Sequence, residues 1–238
     1  PRFAQPFIHT DLRSEAYNSL KLTPADQWII ARTRLVIQHA TESYENYEYA
    51  AAKNEIENYF WRDVCDNYIE MAKQRMYYPA SAAHLAACAT LQAVILAVIK
   101  LFAPILPYIT ERIDQALYRS PADPLSIHLC RWPESDDFGW ANIGSSAEIN
   151  GEMHVAIATA VRRFKSERNL SLGTELLRLQ LAESDSGRIN FLRQAEEDLT
   201  SICRARQIII SAQLDPALIQ LTDEPPIVAV EMMPFESN

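Results

Sequence analysis

Glycine is scarce in this chain, with five in 238 residues. A sheet protein built on glycine turns needs more, and no GxGxxG or P-loop sequence is present to cradle a phosphate. The scarcity favours helices. The four cysteines, Cys65, Cys88, Cys130 and Cys203, stand far apart and form no CxxC pair. That excludes zinc-ribbon spacing and argues against a disulfide framework, which leaves reduced thiols. The five histidines, His9, His39, His84, His128 and His154, fall in no HExxH pattern, and no nucleophile elbow occurs. The sequence therefore offers no catalytic residues and no metal ligands. Basic excess is also missing: the net charge is −9. Residues 1–147 carry 13 basic and 17 acidic side chains, and residues 148–238 carry 9 and 14. Any nucleic-acid surface must be a local patch.

Long, mostly apolar runs are few. The longest, Leu85 to Phe102, is broken by Thr90, Gln92 and Lys100, and is rich in alanine. A membrane span needs about 20 strongly apolar residues, so this run reads as a close-packed helix of a soluble protein, with no membrane partner. The Asn169-Leu170-Ser171 sequon has no secretory signal beside it and reads as chance. The first residue is Pro1 and no targeting pattern follows, which suggests a piece of a longer polypeptide in the cytoplasm.

What is present is helical periodicity. Through and just before Tyr59 to Lys73, YFWRDVCDNYIEMAK, the apolar residues Ala52, Ile56, Phe60, Val64, Tyr68 and Ala72 recur every four positions. Trp61, Cys65 and Ile69 widen the stripe, and Trp61 and Tyr68 are expected in the core. Arg62, Asp63, Asp66, Asn67, Glu70 and Lys73 are expected on the solvated face, with Arg62, Asp66 and Glu70 as a charge ladder. Thr23-Pro24-Ala25-Asp26 opens the preceding helix, which runs to about Tyr44. The long second helix spans about Glu48 to Arg75 and ends before Pro79. A third covers Ala82 to Phe102, and Ile109 to Leu117 resumes after the corner at Pro104 and Pro107. Ser126 to Pro133 reads as an extended segment against the helices. Beyond it, a helix over Glu148–Arg168, a strand near Leu176–Leu181, a helix over Ser186–Ile202 and strands at Gln207–Ala212 and Pro226–Val230 suggest a two- or three-stranded sheet.

The fold expected is mainly α: an antiparallel four-helix bundle followed by a small α+β module. The divisions are residues 1–22 as linker and start of the bundle, 23–147 as the helical domain, and 148–238 as the module. Two basic groups stand out. Arg162, Arg163, Lys165 and Arg168 crowd one helix end, where the helix dipole favours cations. Arg32, Arg34, Lys53, Arg62, Lys73 and Arg75 are spaced to line one edge of the bundle. Both are candidate phosphate contacts.

Four ordered motifs resemble the anticodon-binding region of valyl-tRNA synthetases. Phe60-Trp61-Arg62-Asp63-Val64-Cys65-Asp66-Asn67-Tyr68-Ile69-Glu70, with Lys73, is similar to the family's FFWxDFCDWYLExxK helix, with Asn67 where tryptophan is usual. Asp26-Gln27-Trp28-Ile29 resembles the DRWIL opening. Leu101 to Glu111 resembles the LLHPFMPFITEE corner. Ser126-Ile127 with Arg131-Trp132-Pro133 resembles the SI…WP segment. Arg2-Phe3-Ala4 is compatible with an upstream NARF-like segment, and Val161 to Asn169 with a VRxxRxExN helix end.

The resemblance implies a module that grips the anticodon arm of tRNA for valine. The ATP-using catalytic domain, with its HIGH and KMSKS motifs, and the editing domain would be partners elsewhere in the parent chain. This piece alone would bind no cofactor and catalyse nothing. Arg32, Lys53, Arg62, Arg162, Arg163, Lys165 and Arg168 are the expected tRNA contacts. The alternatives are a stand-alone helical interaction protein without tRNA binding, or the equivalent domain of an isoleucyl-type synthetase.

Overall fold

A computed structural model describes residues 3–8, 20–135, 137, 143 and 146–233. Arg2, much of the 1–22 linker and part of the expected boundary near Gly144 lie outside the described residues. The described chain is mainly helical, with one small sheet.

Helix α1 (Pro24–Glu45) starts as its sequence dictates. Thr23 and Asp26 form a capping box: the Asp26 amide donates to Thr23 Oγ1, and the Thr23 amide donates to Asp26 Oδ2 at 3.0 Å. After a turn, one continuous helix runs from Tyr49 to Tyr77. It comprises α2 (Tyr49–Asn58), a π-helical segment (Tyr59–Tyr68) and α3 (Ile69–Tyr77). The Ile69 amide, for example, donates to the Val64 carbonyl, one residue further back than in an α-helix.

The wider turn changes which side chains face inward. Val64 and Tyr68 are fully buried and Phe60 packs against the core, as the stripe predicts. Trp61, expected inside, is 58% exposed. Asp63 and Asn67, expected in solvent, are buried. Their burial is made tolerable by cations from other helices, since Arg32 pairs with Asp63 and Arg162 donates to Asn67. The expected ladder of Arg62, Asp66 and Glu70 is replaced by a pair between Glu70 and Lys73 at 3.1 Å.

Helix α4 (His84–Phe102) has the length and composition of a membrane span, yet most of it is buried inside the protein. Its small side chains, Ala87, Ala89, Ala93 and Ala97, permit close approach to α1 and α3. After the proline corner, α5 (Pro107–Leu117) packs back on α4. Within Ser126–Pro133 the backbone is extended at Ser126 and Cys130, with a turn between them. Ile127–Leu129 forms a short 3-10 turn tied down by Glu111, which accepts from Ser126 Oγ and the Ile127 amide. Trp132 then docks on α1, its Nε1 donating to Thr41 Oγ1 at 2.8 Å.

Helix α6 (Ala147–Glu167) lies against α1. Gly151 permits this contact: a Cβ there would sit 2.0 Å from the Trp28 ring. The sheet holds four strands where two or three were expected. They are β1 (Leu176–Ala182), β2 (Ala205–Ser211), the two-residue β3 (Ile219–Gln220) and β4 (Ile227–Met232), in the order β2-β1-β4-β3. β1 and β2 run parallel, so a crossover must join them. That crossover is two helices, α7 (Ser186–Gln194) and α8 (Glu196–Cys203), where one was expected. β4 is antiparallel to both neighbours.

One hydrophobic core runs from α1, α3 and α4 through α6 and α8 into β1 and β4. A buried polar knot crosses the same junction. Arg75 of α3 donates both terminal nitrogens to Asp26 of α1 (3.0 and 3.1 Å) and its Nε to Asp198 of α8 (2.7 Å). Tyr68 adds a hydroxyl to Asp26 at 2.9 Å. Arg75, read from sequence as an edge cation, is completely buried.

Candidate nucleic-acid interface

The seven candidate cations do not form one surface. Arg32 is half-buried and engaged by two carboxylates, Asp63 at 3.1 Å and Glu148 at 3.2 Å. It ties α1 to the long helix and to α6. Lys53 is exposed on α2 and paired with Glu57. Arg62 is exposed, and its guanidinium has no partner among the described residues. Arg32 and Arg62 share a cleft of about 360 Å³ with Glu55, Asp63 and Glu152. Three carboxylates against two guanidiniums make that cleft a poor host for phosphate.

At the end of α6 the basic run divides. Arg163 points outward and pairs with Glu167 at 2.8 Å. Arg168 is exposed, its guanidinium 4.7 Å above the Phe164 ring. Arg162 reaches across to the long helix, donating to Asn67 Oδ1 at 2.9 Å and to the Asp66 carbonyl. Lys165 is 1% exposed and lies inside the fold. Its ammonium is held by the carbonyls of Leu172 (3.2 Å) and Cys203 (3.0 Å), and burial lowers its pKa. The expected RNA contact at Lys165 is therefore corrected to a structural one. The spacing held the signal: Ile157, Val161 and Lys165 fall four apart on the inward stripe.

The structure also assembles a groove that sequence reasoning passed over. It lies between the end of α3 and the start of β2, encloses about 600 Å³, and is open to solvent. Tyr77, Tyr78 and Lys73 line one side, and Arg204, Arg206 and Glu175 the other. Tyr77 and Tyr78 are each 62% exposed. Arg204 is exposed and has no side-chain partner among the described residues. A cleft of about 450 Å³ lined by Arg162, Asp66 and Glu70 also reaches Arg204. The available signal was a pair of tyrosines at a helix end before Pro79, and an Arg-Ala-Arg step into a β-branched strand.

Residues 26–181 match the family described as the anticodon-binding domain of tRNA ligase. Among curated proteins, the chain is 29% identical over 223 residues to a valine–tRNA ligase of Pyrococcus furiosus, covering 92% of this chain and 24% of that protein. It is 34% identical over 213 residues to the valine–tRNA ligase of Anaplasma marginale, covering 88% and 24%. It is 36% identical over 188 residues to that of Ehrlichia canis, covering 77% and 22%. The chain thus spans about a quarter of the length of the curated relatives it matches. With the ordered motifs folded together in the helical part of the chain and the family match running through them, the chain belongs to the anticodon-binding domains of tRNA ligases, and its relatives are valine–tRNA ligases.

Proposed function

We propose that this chain binds the anticodon arm of a valine-accepting tRNA on behalf of a cytosolic valine–tRNA ligase. The antiparallel four-helix arrangement and the division at residues 147/148 belong to the same reading. The observation that carries it is the family match over residues 26–181, a stretch that includes all four motifs. ATP-dependent joining of valine to tRNA, and any editing, fall to other parts of the parent protein. By itself the chain holds tRNA and leaves aminoacylation to those parts.

Cations on the rim would engage phosphates, and exposed rings would stack on splayed bases. Of the seven cations, this role is assigned to the exposed Arg62, Arg163 and Arg168, with Lys53 at the margin. Filter binding with valine tRNA at two salt concentrations tests this. Binding is expected and weakens as salt rises, because phosphate contacts release counterions. Absence of binding to any tRNA would favour the other reading, a helical interaction protein that keeps the fold without RNA. The net charge of −9 and the internal use of Arg32 and Lys165 give that reading its weight.

A further inference from the structure

We propose that the groove between α3 and β2 is a binding site for unpaired RNA nucleotides, with Tyr77 as a stacking platform and Arg204 as its phosphate contact. This rests on the tRNA-binding reading and gives it a place outside the seven cations named from sequence.

Three observations carry it. First, Tyr77 is exposed yet fixed. Its ring is met edge-on by Phe7, with centroids 5.1 Å apart at 88°, and by Phe3 at 6.3 Å and 73°. Phe7 is itself buried. An exposed ring braced from below loses little freedom when a base stacks on it. Tyr78 follows at the helix end, also exposed.

Second, Arg204 occupies a left-handed backbone conformation, φ 56° and ψ 43°, where glycine is the usual residue. Its carbonyl accepts from the Leu176 amide at 2.8 Å, which anchors the backbone on the sheet. The guanidinium has no side-chain partner among the described residues, and Arg204 lines the groove. A left-handed position tied to the sheet therefore carries a cation with no side-chain partner among the described residues.

Third, the local charge balance differs from that of the rest of the chain. Arg206 is paired with Glu175 at 2.8 Å and Lys73 with Glu70 at 3.1 Å, which leaves the charge of Arg204 in excess. The cleft around Arg32 and Arg62, at a different part of the long helix, has the opposite balance. Rings beside a surplus cation suit a flexible single strand, whose bases can turn onto the rings while the backbone passes the guanidinium. A regular duplex keeps its bases stacked internally and gains nothing from Tyr77.

Fluorescence anisotropy on the full chain provides the test, with a labelled valine-tRNA anticodon stem-loop and a blunt RNA duplex as probes. Tyr77→Leu should weaken stem-loop binding roughly tenfold, whereas Tyr77→Phe, which keeps the ring, should bind like the parent. Arg204→Asn, which suits a left-handed backbone, should weaken binding about fivefold and reduce the salt dependence by one phosphate contact. Duplex binding should not respond to Tyr77→Leu. If folded Tyr77→Leu and Arg204→Asn proteins bind the stem-loop like the parent, the groove is not the site, and the tRNA reading stands. If Tyr77→Leu weakens duplex and stem-loop equally, stacking is overturned. If the parent chain binds neither probe, both readings fall.

Discussion

His154 is fully buried on α6, with its ring 4.9 Å from that of Phe191, and neither ring nitrogen has a partner among the described residues. Burial disfavours the imidazolium and pushes the pKa down to about 3. A folded-state pKa below the unfolded value means stability is present above about pH 6.5 and is lost as pH falls toward 3. At pH 5 the loss from this residue alone is about 2 kcal/mol. His154→Leu should remove that component. Urea unfolding at pH 7 and pH 5 should show a smaller acid-induced loss for the variant than for the parent. Equal losses would show that His154 is not buried in its neutral form.

At the scale of elements, the contact between α1 and α6 depends on a missing side chain. Gly151→Ala would improve helix propensity by up to about 1 kcal/mol. Its Cβ would also meet Trp28 at 2.0 Å, and Trp28 is itself buried. Overpacking typically costs about 1–3 kcal/mol, so the clash should win. The urea midpoint should fall, and a rise would mean that α6 does not pack on Trp28 as described. The sequence made α1 and the helix stops legible, because a capping box and prolines act locally. It did not reveal the π-helical segment, which differs from an α-helix by roughly one residue per turn. That single residue accounts for Trp61 facing out while Asp63 and Asn67 face in. The candidate site was legible only in part. Arg163 and Lys165 sit two residues apart in one basic run, and only the helical phase separates a surface cation from a buried one. The groove at Arg204 was out of reach, since its two walls are about 130 positions apart in the chain.

Across the whole molecule, the helices and the sheet module are joined through a buried site with two carboxylates and one guanidinium. Asp198 carries the surplus negative charge, and one of its oxygens lacks a partner among the described residues. Burial raises its pKa to about 6, against the opposing pull of Arg75. A raised carboxylate pKa favours the folded state as pH drops from about 6 toward 4, opposite in sign to His154. Arg75→Met would strand Asp26 and Asp198 without a counter-charge and should cost about 3–5 kcal/mol. Asp198→Asn keeps Asp26 paired with Arg75 and should be far milder. Urea unfolding at pH 7 ranks the two, and similar losses would mean that the knot does not hold the junction.

The central claim is that this molecule grips the anticodon end of tRNA. Nuclease footprinting of valine tRNA with saturating chain tests it most directly. The anticodon loop and its stem should be protected, with the acceptor end cut as in free tRNA. Protection confined to the acceptor end, or none at all, would contradict it.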